Sequence, residues 1–180
     1  MRRSELEHLI RAAGHIAGER EFVIIGSQAI LGQFPDAPVA LLVSMKVDLY
    51  PLSRPGLADK VDGAIGEGSA FHQTHGYYAQ GVGPETATLP EGWRRRLVRI
   101  ESPNTGGCVG LCLEVHDLAI SKYVAGREKD REFTRELARH GMTDRKTLLK
   151  RLAVTKLSIA ISKLVRARIA RDFQPSVRMR

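Results

Sequence analysis

Three groups of residues in this 180-residue chain have the types and spacing to handle a phosphorylated ligand. The first is Gly26-Ser27, which follows the apolar run EFVII and opens SQAILGQF. A glycine there lets the backbone approach a ligand closely, and free amides at a helix start attract phosphate. The second is Asp48 in SMKVDLYP (44–51), on the same side of an alternating strand as Lys46 and Tyr50. A carboxylate spaced two residues from a second carboxylate would hold Mg²⁺, a hard cation that prefers carboxylate and phosphate oxygens. The third is Lys122, with Arg127, Lys129 and Asp130, on a helical stretch where a lysine can act as a point charge on phosphate. Glu128, Glu132 and Glu136 lie among these bases, so the same helix also reads as a salt-bridged surface.

Other chemistries find no support. No G-x-S-x-G occurs, since Ile25 precedes Gly26-Ser27 and Gln28-Ala29 follow, and no G-x-x-x-x-G-K-[ST] loop occurs. Cys108 and Cys112 are the only cysteines, too far apart along a strand to bridge, and read as buried reduced thiols. His72 and His75 lack the i, i+4 spacing of a helical metal pair and have no carboxylate cluster beside them. No run reaches the ~18 apolar residues of a membrane span, and charges interrupt the basic N-terminus where a signal peptide would be apolar. A cytoplasmic protein with no membrane partner is the expectation.

The net charge of +8 is unevenly placed. Residues 145–180 hold eleven Lys/Arg and one acid, whereas residues 1–144 hold 17 basic and 19 acidic residues. Arg94, Arg95, Arg96 and Arg99 form a second cluster after Trp93. This asymmetry fits a polyanionic partner, nucleic acid first, and equally a solvated helix face.

The elements that must position these residues can be read in outline. Ser4-Glu5-Leu6-Glu7 suggests a capping box, and Leu6, Leu9, Ile10, Ala13, Ile16 and Ala17 recur at helical spacing up to Gly18. Residues 21–26 predict a buried strand, 27–34 a short helix capped by Ser27, 44–51 a half-buried strand and 55–68 a helix. Residues 69–92, with Gly76, Gly81, Gly83, Pro84 and Pro90 around the pair Tyr77-Tyr78, predict a hairpin or a long functional loop. RRLVRIES and CVGLCLEV predict a strand pair about the turn cluster 103–107. Asp117 is expected to cap one long helix to about Gly141, Thr143 or Asp144 a second, and residues 155–172 a third. The order implies an α/β (α+β) fold: a small mixed sheet covered by helices, with a C-terminal helical segment. The expected division is a core over 1–141 and a basic helical segment over 142–180 packed on it.

FVIIGSQAIL (22–31), SMKVDLYP and HDLAISKYVAGREKD (116–130) together resemble the minimal nucleotidyltransferases of the DNA polymerase β superfold. Within that group the chain looks closest to the abortive-infection (AbiEii-type) toxin nucleotidyltransferases and their relatives. The resemblance spans about residues 20–140, and its last motif is the most specific. It implies that Gly26 and Ser27 bind a nucleoside triphosphate, that Asp48 holds one or two Mg²⁺, and that Glu114 is a further acid of the metal site. It implies that Lys122 and Arg127 contact phosphates and that Asp130 orients them or the acceptor. The implied reaction moves a nucleoside monophosphate to an RNA acceptor, tRNA ends among those relatives use, in a toxin paired with an antitoxin protein. Two features depart from the pattern. Lys46 stands where the family has an acid, and an ammonium repels Mg²⁺ rather than ligating it. Eighteen residues separate Ser27 from Lys46, more than the superfold's short linker. Lys46 therefore divides two expectations: an active Mg²⁺-dependent transferase, or a degenerate member that binds nucleotide or RNA without turnover.

Overall fold

In a computed structural model that describes residues 1–174, the early apolar runs form a sheet and the late helical periodicities form helices. Helix α1 (Arg3–Ala17) leads into β1 (Glu21–Ile24), followed by α2 (Ile30–Gln33) and β2 (Lys46–Pro51). Next come α3 (Ala58–Ile65), α4 (Ala70–His75), β3 (Tyr78–Gly81), β4 (Val98–Ile100) and β5 (Val109–Cys112). The chain closes with α5 (Val115–Ala125), α6 (Glu128–Arg139), α7 (Arg145–Ala153) and α8 (Ile159–Asp172). The five strands form one mixed sheet in the order β3-β2-β1-β5-β4. The mixed α/β class read from the sequence holds. Among the described residues, no helix is long and apolar enough to cross a membrane.

The chain divides into two compact units. The first holds residues 1–87 and 92–114, the second residues 88–91 and the chain from Val115 onward. The expected boundary near residue 141 falls inside the second unit.

In the first unit, β1 pairs antiparallel with β2 and parallel with β5; β3 runs parallel to β2, and β4 antiparallel to β5. Cross-strand partners share a face, so Ile24, Leu49 and Cys112 point one way and Lys46, Asp48 and Gln80 the other. Helix α1 buries Leu6, Leu9, Ile10 and Ala13 against the first face, each fully buried leucine or isoleucine being worth roughly 1.5–3 kcal/mol. Its N-terminus differs from expectation: Arg2 is the cap residue, and its amide donates to Glu5 Oε2 at 2.8 Å, leaving Ser4 inside the first turn.

Helix α3 lies tightly on β3. A β-carbon on Gly81 would collide with the carbonyl oxygen of Ala58, a backbone atom that cannot swing aside. Gly81→Ala is therefore expected to cost about 1–3 kcal/mol as overpacking. Urea unfolding measures this, and an unchanged midpoint would contradict the packing.

Residues 69–92 are neither hairpin nor open loop. Ser69 caps α4, its hydroxyl accepting from the His72 amide at 3.1 Å, and Gly76 at φ +75° ends that helix before β3. The expected strand pair forms as β4 and β5, shorter than the apolar runs. Cys108 is half-buried and Cys112 buried, both as free thiols. Burial pushes the Cys112 thiol up to about 12.

The second unit is helical, with a short backbone tie where the Glu91 amide donates to the Val154 carbonyl at 2.9 Å. The single long helix expected over 117–141 is two helices. Gly126 at φ +61° breaks it, in a conformation β-carbon-bearing residues avoid, and α6 restarts behind Arg127. Asp117 is no cap: it lies inside α5, buried, with Arg151 Nε 3.1 Å from its Oδ1. Asp144 caps α7 through the Thr147 amide at 2.8 Å. On α8, Val165 and Ile169 are buried while Ile159 and Leu164 are exposed. Arg178 and Arg180, counted in the basic excess, lie outside the described residues.

Candidate functional site

The C-terminal end of β1 and the N-terminal half of β2 meet at one end of the sheet's central strands, where the Ile25 amide donates to the Asp48 carbonyl at 3.1 Å. Directly beyond it the chain turns at Gly26. A β-carbon on Gly26 would sit 2.5 Å from Asp48 Oδ2 and 3.0 Å from its Cγ. Gly26 has an ordinary extended conformation, so it is space, not backbone angle, that calls for glycine here. The strand-to-helix turn and the carboxylate thus meet.

Ser27 is half-buried but does not cap a helix. Gly26 holds the cap position, and Ser27–Ala29 form a 3-10 turn that runs into the four-residue α2. A helix so short has little macrodipole to offer a phosphate. Gln28, which follows, is fully buried, and neither polar atom of its amide has a hydrogen-bond partner among the described residues. Buried orphan groups are rare enough in folded proteins to need a cause.

Lys46 and Asp48, two apart on β2, point to the same side. Lys46 Nζ lies 3.0 Å from Asp48 Oδ1, with both side chains mostly shielded. The contact is Coulombic, since Oδ1 is buried and takes no hydrogen bond among the described residues. The Lys46 ammonium instead donates to Oε1 of Gln80, which β3 places opposite Asp48. Gln80 escaped the sequence reading because it sits in the stretch with no clear periodicity. The alternation through Tyr78, Ala79 and Gln80 was the available signal: Ala79 is buried and its neighbours are not. Tyr50, next on this side of β2, is buried, its hydroxyl without a hydrogen bond among the described residues. Burial pushes its phenol up, Arg94 opposes this, and Glu85 adds to it.

Glu114 follows β5 rather than lying on it, and is half-buried. Among the described residues no group of three or more His, Cys, Asp or Glu is placed to hold a metal ion. Asp48 is matched by an ammonium, and its free lone pairs face the charge a cation would have to displace. The residues present therefore do not fit a two-ion carboxylate site.

Lys122, Arg127 and Asp130 come together in the second unit. Asp130 is 1% exposed, with Lys122 Nζ 3.3 Å from Oδ1 and Arg127 Nε 2.6 Å from Oδ2. Its position three residues into α6 also lets it accept from the Arg127 amide at 3.3 Å. Burial acts to raise the Asp130 carboxyl, but the Arg127 hydrogen bond and the charges of Lys122 and Arg127 outweigh it and hold the group below the usual carboxylate range. Lys122 Nζ also lies 5.9 Å from the ring centre of Phe133. Lys129, which one continuous helix would have placed on the face of Lys122, sits exposed on the first turn of α6. The break at Gly126 removes that shared face.

No curated protein and no solved structure matches the chain. A family described as "Nucleotidyltransferase of unknown function (DUF6036)" matches residues 4–174. That span takes in the Gly26–Asp48 site, the Asp130 cluster and nearly the whole of both units, and the chain belongs to this nucleotidyltransferase family.

Proposed function

We propose that this chain binds a nucleoside triphosphate at the Gly26–Asp48 site without metal-assisted turnover, Lys46 taking the place of an acid that would hold Mg²⁺. One observation carries the reading: the Lys46 ammonium sits 3.0 Å from the carboxylate that Gly26 abuts. Two uncompensated acids would repel a triphosphate until a cation arrived. A lysine–aspartate pair is neutral overall and leaves ammonium protons for phosphate oxygens. The close approach at Gly26 and the Ser27 hydroxyl supply the remaining polar contacts. In the second unit, Lys122 and Arg127, oriented by Asp130, are proposed as phosphate contacts for RNA. The bases of α7 and α8, with only Asp172 among them, add sequence-independent affinity.

Family membership favours a second reading, the active one. In it the protein transfers a nucleoside monophosphate to RNA, tRNA included, with Mg²⁺ at Asp48 and Glu114, as an AbiEii-like toxin with an antitoxin partner in the cytoplasm. The two readings separate on the bench. Under the first, calorimetry finds triphosphate affinity equal in Mg²⁺ and in EDTA, and Lys46→Gln weakens it about tenfold by leaving Asp48 unmatched. Incubation with radiolabelled nucleoside triphosphates, Mg²⁺ and total RNA then gives no labelled RNA. Labelling by the wild-type chain that disappears in Asp48→Ala would overturn the first reading in favour of the second.

A further inference from the structure

The segment FHQTHGY (71–77) lies outside the triphosphate site and forms one wall of a second cleft in the first unit. Tyr77 and Tyr78, adjacent in sequence, turn to opposite sides of the sheet. Tyr78 stands opposite Lys46 on the Asp48 side, and its ring lies 4.5 Å from that of His72. Tyr77 turns toward α1, where its hydroxyl lies 2.8 Å from Nδ1 of His8. The cleft between α1 and this wall has a volume of about 370 Å³, at the small end of the range of about 300–1,000 Å³ that ligand pockets occupy.

Its chemistry is specific. Ser4, His8 and Arg11 stand at i, i+4 and i+7 on α1 and line one side, with His75 and Tyr77 facing them. The rings of Phe71 and His75 lie 4.5 Å apart, and those of His8 and His75 4.9 Å apart and edge-on, so the aromatic wall is braced by its own contacts. At the α1 N-terminus Arg2 is matched by Glu5 at 2.9 Å, which neutralises that end. The positive charge therefore lies at the Arg11 end. There Arg11 Nη1 donates to the Asn104 carbonyl at 2.8 Å, which fixes the guanidinium while its fork keeps further donors. Burial, Arg11 and His75 hold the His8 imidazole below its usual range, so it is neutral at neutral pH. His8 Nδ1 and the Tyr77 hydroxyl share one hydrogen bond, and in the tautomer that accepts from the hydroxyl the ring proton is on Nε2 as another donor.

We propose that this cleft binds a phosphate monoester carried on a planar ring: a nucleoside 5′-monophosphate, either free or as the 5′-terminal residue of an RNA. The phosphate lies against Arg11 and His8, where a guanidinium fork matches its oxygens. The base stacks on the Tyr77–His75 wall, as unstacked bases do on tyrosine and histidine. The site is independent of the triphosphate reading, because its walls are α1 and the opposite side of the sheet.

Calorimetry on the full chain with adenosine 5′-monophosphate tests this, with adenosine and inorganic phosphate as the separated halves. The expected result is one saturable site for the monophosphate, with each half at least about tenfold weaker. Binding persists in a saturating non-hydrolysable triphosphate analogue. Arg11→Gln lowers monophosphate affinity about tenfold or more, and Arg11→Lys recovers part of it, having the charge without the fork. Unchanged thermal unfolding of both variants shows that the loss is local. Absence of saturable binding, displacement by the triphosphate analogue, or affinity untouched by Arg11→Gln overturns the proposal. A 5′-phosphorylated RNA trinucleotide separates the two sources. Tighter binding than the mononucleotide identifies an RNA end, and equal or weaker binding a free nucleotide. A 5′-hydroxyl trinucleotide binding as tightly as the phosphorylated one would overturn the monoester assignment.

Discussion

Lys46→Asp is expected to create a divalent-cation site at Asp48. The substitution removes an ammonium 3.0 Å from Oδ1 and puts a second carboxylate on the same side of β2, two residues away. Local charge changes from neutral to −2. A unit charge at 4 Å is worth about 4 kcal/mol at an effective dielectric of 20. A gain of about 100-fold in Mn²⁺ affinity, read by calorimetry against wild type, is then a conservative expectation. Lys46→Gln separates the two contributions: it removes the repulsion without adding a ligand, and should gain far less. If the revertant also transfers label from a nucleoside triphosphate to RNA in Mg²⁺, the fold has kept its catalytic geometry and lost only a ligand. Equal Mn²⁺ affinity in all three proteins would remove Lys46 as the reason the site does not suit a metal.

Asp130→Asn is expected to be the most destabilising polar substitution in the second unit. The amide keeps the volume but removes the carboxylate charge 3.3 Å from the Lys122 ammonium, which is 13% exposed. Breaking a buried ion pair from one side costs about 3–5 kcal/mol. The lower figure applies here, since Arg127 is 60% exposed and can be rehydrated. At roughly 2–4 °C per kcal/mol for a chain of this size, the midpoint should fall by roughly 6–12 °C. The wild-type chain should show the same dependence on acid. The Asp130 carboxyl titrates lower folded than unfolded, so its contribution is complete above the unfolded value of about 4. It is lost as pH falls through the lower folded value. Scanning calorimetry of both proteins between neutral pH and pH 3 tests this. The difference between them should shrink below pH 4, and a constant difference would count against the ion-pair account.

The Lys46–Asp48 pair shows how far local pattern carries. Period-two alternation in SMKVDLYP was enough to put both side chains on one side of a strand, because successive residues of a strand alternate by geometry alone. The apolar spacing of α1 and the runs of β1, β2 and β5 were legible for the same reason: each reflects burial against a neighbour, and burial leaves a period in the chain. Gln80 was not legible, because its role comes from β3 lying parallel to β2 in one register. That pairing joins residues 32 apart, and the Lys46–Gln80 contact residues 34 apart, with α3 and α4 between them.

The break between α5 and α6 marks the other limit. The apolar and charged spacing of 117–141 continues across Gly126, and a lone glycine within a helical pattern is tolerated as often as it terminates one. Tertiary structure decided it. Buried Asp117 holds Arg151 from α7, and Arg127 and Lys122 close on Asp130 across the turn. Those ion pairs fix two separate helices where propensity alone would have allowed one. By itself, then, the sequence determined the apolar face of α1 and the buried strand runs, which side of β2 bears Lys46 and Asp48, and where the basic charge lies, since these follow from short-range period and composition. Only the folded chain decided that the Lys46 ammonium rests on the carboxylate beneath Gly26, and that Tyr77 and Tyr78 serve different sides of the sheet. Both depend on contacts between segments far apart in sequence, which no local period encodes.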